Sequence, residues 1–173
     1  KKNGIEVSIM SVLARDIAKV LEENETDAVV HAAALTSVDE SIKKPALYHK
    51  INTTGTLNML IASIAARVKH FIYTSSAAVY GEPEYLPIDE NHPLKPKSPY
   101  GASKLAGEIY TNALRTYGLK TTTLRLFNIY GPHQNPSYAG VMTKFIQAIR
   151  AGKPPVIFGD GEQTREFVHG SDG

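Results

Sequence analysis

The chain has 173 residues, 42% of them hydrophobic, a formal net charge of +2 and no cysteine. That length supports one sizeable hydrophobic core, and scattered basic residues at near-neutral charge give no nucleic-acid surface. The absence of cysteine excludes disulfides and thiolate metal sites and fits a cytoplasmic protein, and no apolar run is long enough to span a bilayer.

Residues 5–9 read as a short strand, and 13–23 as an amphipathic helix with Leu13, Ile17, Val20 and Leu21 at its apolar positions. The run D-A-V-V-H-A-A at 27–33 is continuously apolar, as a parallel strand is when helices cover both its faces. Ala32, Ala33 and Ala34 then leave room either for a flat ligand against the backbone or for close helix–sheet packing. A long helix is expected over 45–68, opened by Pro45. Asn52 within it is a mediocre helix former, so it either makes a specific hydrogen bond or faces solvent. Residues 70–75 form the next buried strand. The segment 81–99 holds five prolines and no periodicity, and reads as a surface loop.

Ser98 and Pro99 have the character of an N-cap and a first helical residue, opening a helix to about Tyr117 that Gly118 ends. A β-branched strand over 121–127, a helix over 140–151 and a short strand over 156–158 complete the reading. Alternating strands and helices imply an α/β fold, a parallel sheet wound on both faces in the Rossmann manner. Ligands of such sheets bind at the carboxyl ends of the strands. Segments 32–35, 75–76 and 127–128 each follow a strand and so meet at that edge. The six histidines never fall at metal-ligand spacing, so no metal site is expected.

The chemistry concentrates in Y-G-A-S-K at 100–104, preceded by T-S-S-A-A-V-Y-G at 74–81. Tyr100 and Lys104, four apart, share one face of a helix. A phenol with a pKa near ~10 is a poor base at neutral pH, and a nearby ammonium favours its ionised form. A serine at a strand end can hydrogen-bond the same substrate oxygen. Together the three can move the proton of an alcohol that becomes a ketone, which is half of a hydride transfer.

These blocks, with H-A-A-A-L-T-S-V-D-E-S at 31–41, N-T-T-G-T-L-N at 52–58, L-R-L-F-N-I-Y-G-P at 124–132 and F-G-D-G-E-Q-T-R-E-F-V-H at 158–169, occur in family order. The chain resembles the extended short-chain dehydrogenase/reductases, in the nucleotide-sugar epimerase branch typified by UDP-glucose 4-epimerase. The resemblance implies NAD as cofactor and a nucleotide-sugar as substrate, epimerised at C4 through a 4-keto intermediate. It makes Ser76, Tyr100 and Lys104 catalytic. It puts Ala33, Ala34, Asn52, Ser75, Tyr100, Lys104 and Phe127 at the cofactor. Ser76, Asn128, Val141, Phe158 and Arg165 fall at the substrate, Arg165 on its diphosphate, the lesser unaided reading of that arginine being a surface partner of Glu162 or Glu166.

Relatives also carry an earlier strand–glycine loop–helix and a longer substrate-covering tail, so residues 1–133 are expected to be a partial NAD-binding domain and 134–173 the start of the substrate region. On that expectation this chain alone would be an inactive piece of an active parent. Relatives pair as homodimers through two helices, here those near 45–68 and 99–117. Departures from the family pattern are Thr36 in place of a ribose-contacting lysine, Gly170 in place of valine, and no aspartate near Met10 for adenine. Sugar 4,6-dehydratases carry Asp-Glu where this chain has Ala77-Ala78, which argues against dehydration. A decarboxylase or reductase of the same family, or a non-catalytic dinucleotide-binding fragment, remains the alternative.

Overall fold

The computed structural model describes residues 14–132, 140–157, 159–162 and 164–172. Helix α1 (Ala14–Glu23) leads to strand β1 (Ala28–His31), followed by α2 (Val38–Lys43) and α3 (Pro45–Tyr48). A π-helical turn, His49–Thr54, joins α3 directly to α4 (Gly55–Ala65). The helix expected over 45–68 is therefore one helical run with a wide turn set into it. Helix α2 was not foreseen: six residues show no periodicity, although Ser37 caps it by accepting from the Glu40 amide at 3.2 Å.

Strand β2 (His70–Ser76) passes through a tight turn, Ala77–Val79, into the proline-rich segment, and α5 (Pro99–Ala113) follows. A narrower turn, Leu114–Tyr117, ends at Gly118, whose φ of 85° closes the helix in the left-handed region that glycine tolerates. Then come β3 (Lys120–Leu126), β4 (Asn128–Tyr130), α6 (Val141–Arg150) and β5 (Phe167–His169). The expected strand at 5–9 lies outside the described residues. The one expected at 156–158 is not formed at Val156 and Ile157, which lie exposed without a strand partner, and Phe158 lies outside the described residues.

Strands β1, β2 and β3 form a parallel sheet in that order, with Val29, Phe71 and Thr121 in register, then His31, Tyr73 and Thr123. The parallel α/β winding expected from the sequence is what forms. Val29, Phe71 and Tyr73 face α4 and α5 and bury with Leu60, Val68 and Leu119 in the core, flanked by Leu21 of α1. Residues of opposite parity turn to the other face, where Val30 is 64% exposed. The run at 27–33 is thus covered on one face among the described residues, not on both.

The segment after β2 is held by His92, which is buried. Its Nε2 accepts from the Glu84 amide at 2.9 Å, and its ring packs on Tyr80 and Tyr85. Arg125 of β3 ties three parts together. Its Nε and Nη2 grip the Glu108 carboxylate of α5 at 2.9–3.2 Å, and its Nη1 reaches the Tyr80 hydroxyl at 3.2 Å and the Glu90 carbonyl at 3.1 Å. Both side chains are largely out of water. Removing one member leaves the other buried without compensation. Arg125→Ala should therefore cost about 3 kcal/mol or more, read as a lowered urea midpoint at unchanged slope.

Candidate active site

Helix α5 starts at Ser98, whose hydroxyl accepts from the Gly101 amide at 3.1 Å, with Pro99 in the first turn where a missing N–H costs nothing. Tyr100 and Lys104 follow one turn apart, and both are buried. Between them Gly101 lies against the turn after β2, where a Cβ would meet the Ala78 carbonyl at 2.5 Å. That approach brings Tyr100 beside Ser76 on the same cleft wall, near enough for the serine to act on the phenol. The Ser76 hydroxyl also caps its own turn, accepting from the Ala78 amide at 3.2 Å.

Burial raises the pKa of Tyr100, and the neighbouring Ser76 offsets part of the rise. The lowering expected from Lys104 does not act on the phenol: burial sets the direction of the shift, and only Ser76 works against it. The ammonium of Lys104 instead stands 4.7 Å from the centroid of the Tyr73 ring. Burial lowers its pKa to about 8, partly countered by Glu108 one turn on.

Asn52 faces the protein and not solvent. Its carboxamide pairs with both backbone groups of Leu35 at 2.9 Å and donates to the Ser103 hydroxyl at 3.0 Å. Ser103 in turn donates to the Tyr100 carbonyl at 2.7 Å. The π-helical turn carries Asn52, and wide turns of this kind concentrate at functional places in helices. One side chain so joins the loop after β1 to the helix bearing Tyr100. Tyr48, fully buried, meets the Tyr100 ring edge-on at 6.4 Å from the other side.

These elements wall a cleft of about 740 Å³ at the carboxyl ends of the strands. Of the residues expected at the site, Ala34, Ser75, Ser76, Tyr100, Lys104, Phe127, Asn128 and Arg165 line it. Asn52 stands behind the wall as a brace. Ala33 and Val141 are exposed and off it, the loop after β1 presenting Ala32 and Ala34 and α6 presenting Met142 and Thr143 instead. Phe158 lies outside the described residues. Arg165 makes no ion pair with Glu162 or Glu166 among the described residues, and its guanidinium donates to the Thr164 carbonyl at 2.7 Å. Asn128 donates to the Glu166 carbonyl at 2.9 Å, tying β4 to the segment before β5. Thr36, read from the sequence as standing where relatives carry a ribose-contacting lysine, lines the cleft, and so do Val38, Met142, Thr143 and Phe167, which were not foreseen. Gly140 before a helical pattern was the one available signal for Met142 and Thr143.

The wall fits a dinucleotide. Small Ala32 and Ala34 leave the strand end open to a flat ring. The Ser75 hydroxyl is buried and has no partner among the described residues, so it is a donor and acceptor that a ligand can satisfy.

The model of the NAD dependent epimerase/dehydratase family matches residues 4–173, and the chain belongs to that family. It is 42% identical over 161 residues to a putative UDP-glucose 4-epimerase of Methanocaldococcus jannaschii, covering 91% of this chain and 53% of that protein. It is 38% identical over 149 residues to a dTDP-glucose 4,6-dehydratase of Streptomyces antibioticus, covering 86% of this chain and 44% of the other. Among solved structures, a UDP-N-acetylglucosamine 4-epimerase of Methanobrevibacter ruminantium, in complex with UDP-N-acetylmuramic acid, superposes with a TM-score of 0.84 at 43% identity, over 89% of this chain and 50% of that one. The chain thus spans about half the length of the relatives it matches. The family resemblance, the Rossmann-like fold and NAD as the family's cofactor agree with the sequence reading.

His31 lies under this site on β1. It is buried, its Nε2 pairs with the Thr56 hydroxyl at 3.1 Å, and burial with the nearby Lys104 charge lowers its pKa from 6.5 to about 4. Between those values the unfolded chain binds more protons than the folded one, so stability falls as pH drops through that window. The urea midpoint should decline from pH 7 to pH 5 by the equivalent of about 2 kcal/mol, and His31→Phe should abolish that part of the decline.

Proposed function

We propose that the parent protein epimerises C4 of a nucleotide-linked sugar, of the UDP-glucose/UDP-galactose type, through a 4-keto intermediate with no net consumption of NAD. The observation that carries this reading is the juxtaposition of Ser76, Tyr100 and Lys104 on the wall of one cleft, with Tyr100 and Lys104 buried and Ser76 half-buried. Bound NAD would supply hydride acceptance and return. Tyr100 takes and gives back the proton of the C4 hydroxyl, Ser76 holds the same oxygen, and Lys104 keeps a positive charge beside the phenol and holds the nicotinamide ribose. Ala34, Ser75 and Phe127 are on the cofactor side of the cleft, with Asn52 fixing the loop behind them. Asn128 and Arg165 are on the side of the diphosphate.

Dehydratases are among the relatives, but elimination needs an acid and a base next to the serine. Here the turn holds Ala77 and Ala78, and Ala78 faces the cleft with nothing to transfer a proton. Residues 1–133 then serve the cofactor and 134–173 begin the substrate region, in keeping with Met142, Arg165 and Phe167 on the cleft wall. No described helix is long and apolar enough to cross a membrane. A cysteine-free chain suits the cytoplasm.

The reading extends to a homodimer built from the helical run at 45–65 and α5. Leu60, Ile64 and Leu114 cover the sheet, yet Ile61 and Ile109 stay 45% and 60% exposed on the same two helices. A twofold pairing would bury them. Sedimentation of the full-length protein at micromolar concentration should give twice the monomer mass, and a monomer would remove this part of the reading.

The reaction itself is tested by incubating the full-length protein with UDP-galactose and resolving the products. Formation of UDP-glucose without NADH release is expected. A dehydrated 4-keto product, or stoichiometric NADH, would sink the epimerase. Tyr100→Phe should lower kcat by about 100-fold or more while leaving the urea midpoint nearly unchanged.

A further inference from the structure

Lys104 is the least favourably housed charge near the cleft. It is only 4% exposed, and the carboxylate one turn along, Glu108, is already gripped by Arg125. A buried ammonium needs compensation. The group facing it is the ring of Tyr73, whose centroid lies 4.7 Å from Nζ. Aromatic faces attract cations, and more strongly where water is excluded.

Tyr73 is fixed more tightly than core packing alone requires. It is 1% exposed, and its ring stacks beside His31 at 6.1 Å with 24° between the planes. Its hydroxyl donates to the backbone carbonyl of Lys104 at 3.2 Å. At Gly107 a Cβ would stand 2.2 Å from that hydroxyl, so α5 lies as close as it does only because this position has no side chain. One residue of β2 therefore touches the lysine twice, under its ammonium and at its own carbonyl.

We infer that Tyr73 is a positioning residue for Lys104, its ring face seating the ammonium in the charged form and its hydroxyl fixing the turn of α5 that carries it. The role of Lys104 in turnover rests on the proposed function, but the seat itself does not. The titratable and charged groups around the ammonium are His31 on β1, Tyr73 on β2, and Tyr100 and Glu108 on α5, with Arg125 on β3 holding Glu108. His31 is lowered to about 4, and burial pushes Tyr73 and Tyr100 above the ordinary phenol value, so neither the imidazole nor the two phenols titrates near the Lys104 value of about 8.

The test is a pH titration of Lys104 by NMR in the full-length protein labelled at the lysine side chains, with the resonance assigned from Lys104→Arg. Tyr73→Phe keeps the ring and should leave the midpoint near that of the parent. Tyr73→Leu removes the ring and should lower the midpoint by about one pH unit. An unmoved midpoint in a folded Tyr73→Leu variant, or an equal fall in Tyr73→Phe, would overturn the seat.

Should Tyr73→Leu fail to fold, phenylalanines of increasing fluorination incorporated at position 73 keep the shape and weaken the ring's negative face stepwise. The midpoint should then fall stepwise with each fluorine, and a flat series would overturn the inference. A packing role alone would not produce the graded fall. Because the readout is a lysine titration, an inactive protein with a graded series supports the seat, and an active one with a flat series refutes it.

Discussion

Helix α5 comes so close to β2 and the turn after it that a methyl group would not fit at Gly101 or at Gly107. That approach fixes where Tyr100 and Lys104 stand. At the first glycine it brings the phenol to Ser76, and at the second it brings the lysine's turn onto Tyr73. The rest of the cleft is arranged around a helix whose distance from the sheet is set by two absent side chains.

The approach is held from behind by polar contacts. Asn52 reaches from the π-helical turn to both backbone groups of Leu35 and to Ser103, so the loop after β1 and the first turns of α5 form one unit. Arg125 does the same further along, locking Glu108 to β3 and to the proline-rich segment. Buried polar groups satisfied in this way define one geometry more sharply than apolar packing does. The consequence for electrostatics is that Glu108 is committed to Arg125, and the nearest face to the Lys104 ammonium is aromatic.

Much of this was legible in the sequence, for identifiable reasons. Strands β2 and β3 and helix α5 announced themselves through apolar runs, an N-cap with proline, and a terminal glycine, all of which act within a few residues. The Tyr100–Lys104 spacing and the serine at a strand end were equally local. Other features were not. The π-helical turn depends on what Asn52 binds, and Leu35 is seventeen residues away in the chain. The β4–β5 pairing joins residues far apart, and neither three-residue strand carries a period long enough to read. The net direction of the Tyr100 shift depends on burial, which spacing does not reveal. The one-sided cover of β1 was missed because an apolar run records what a strand can bury, not what lies against it.

The two walls of the cleft differ in how they are anchored. One belongs to a three-stranded sheet with seven register pairs between β2 and β3 and a helix-covered core. The other, carrying Asn128 and Phe167, hangs on three pairs between β4 and β5, with little of either strand buried. Local opening costs least where few contacts are buried, so the β4–β5 wall should open more readily than the β2–β3 wall. Amide exchange would run fast along β4 and β5 while β2 stays protected. A ligand in a cleft built this way would meet one unyielding wall and one that can adjust to its shape.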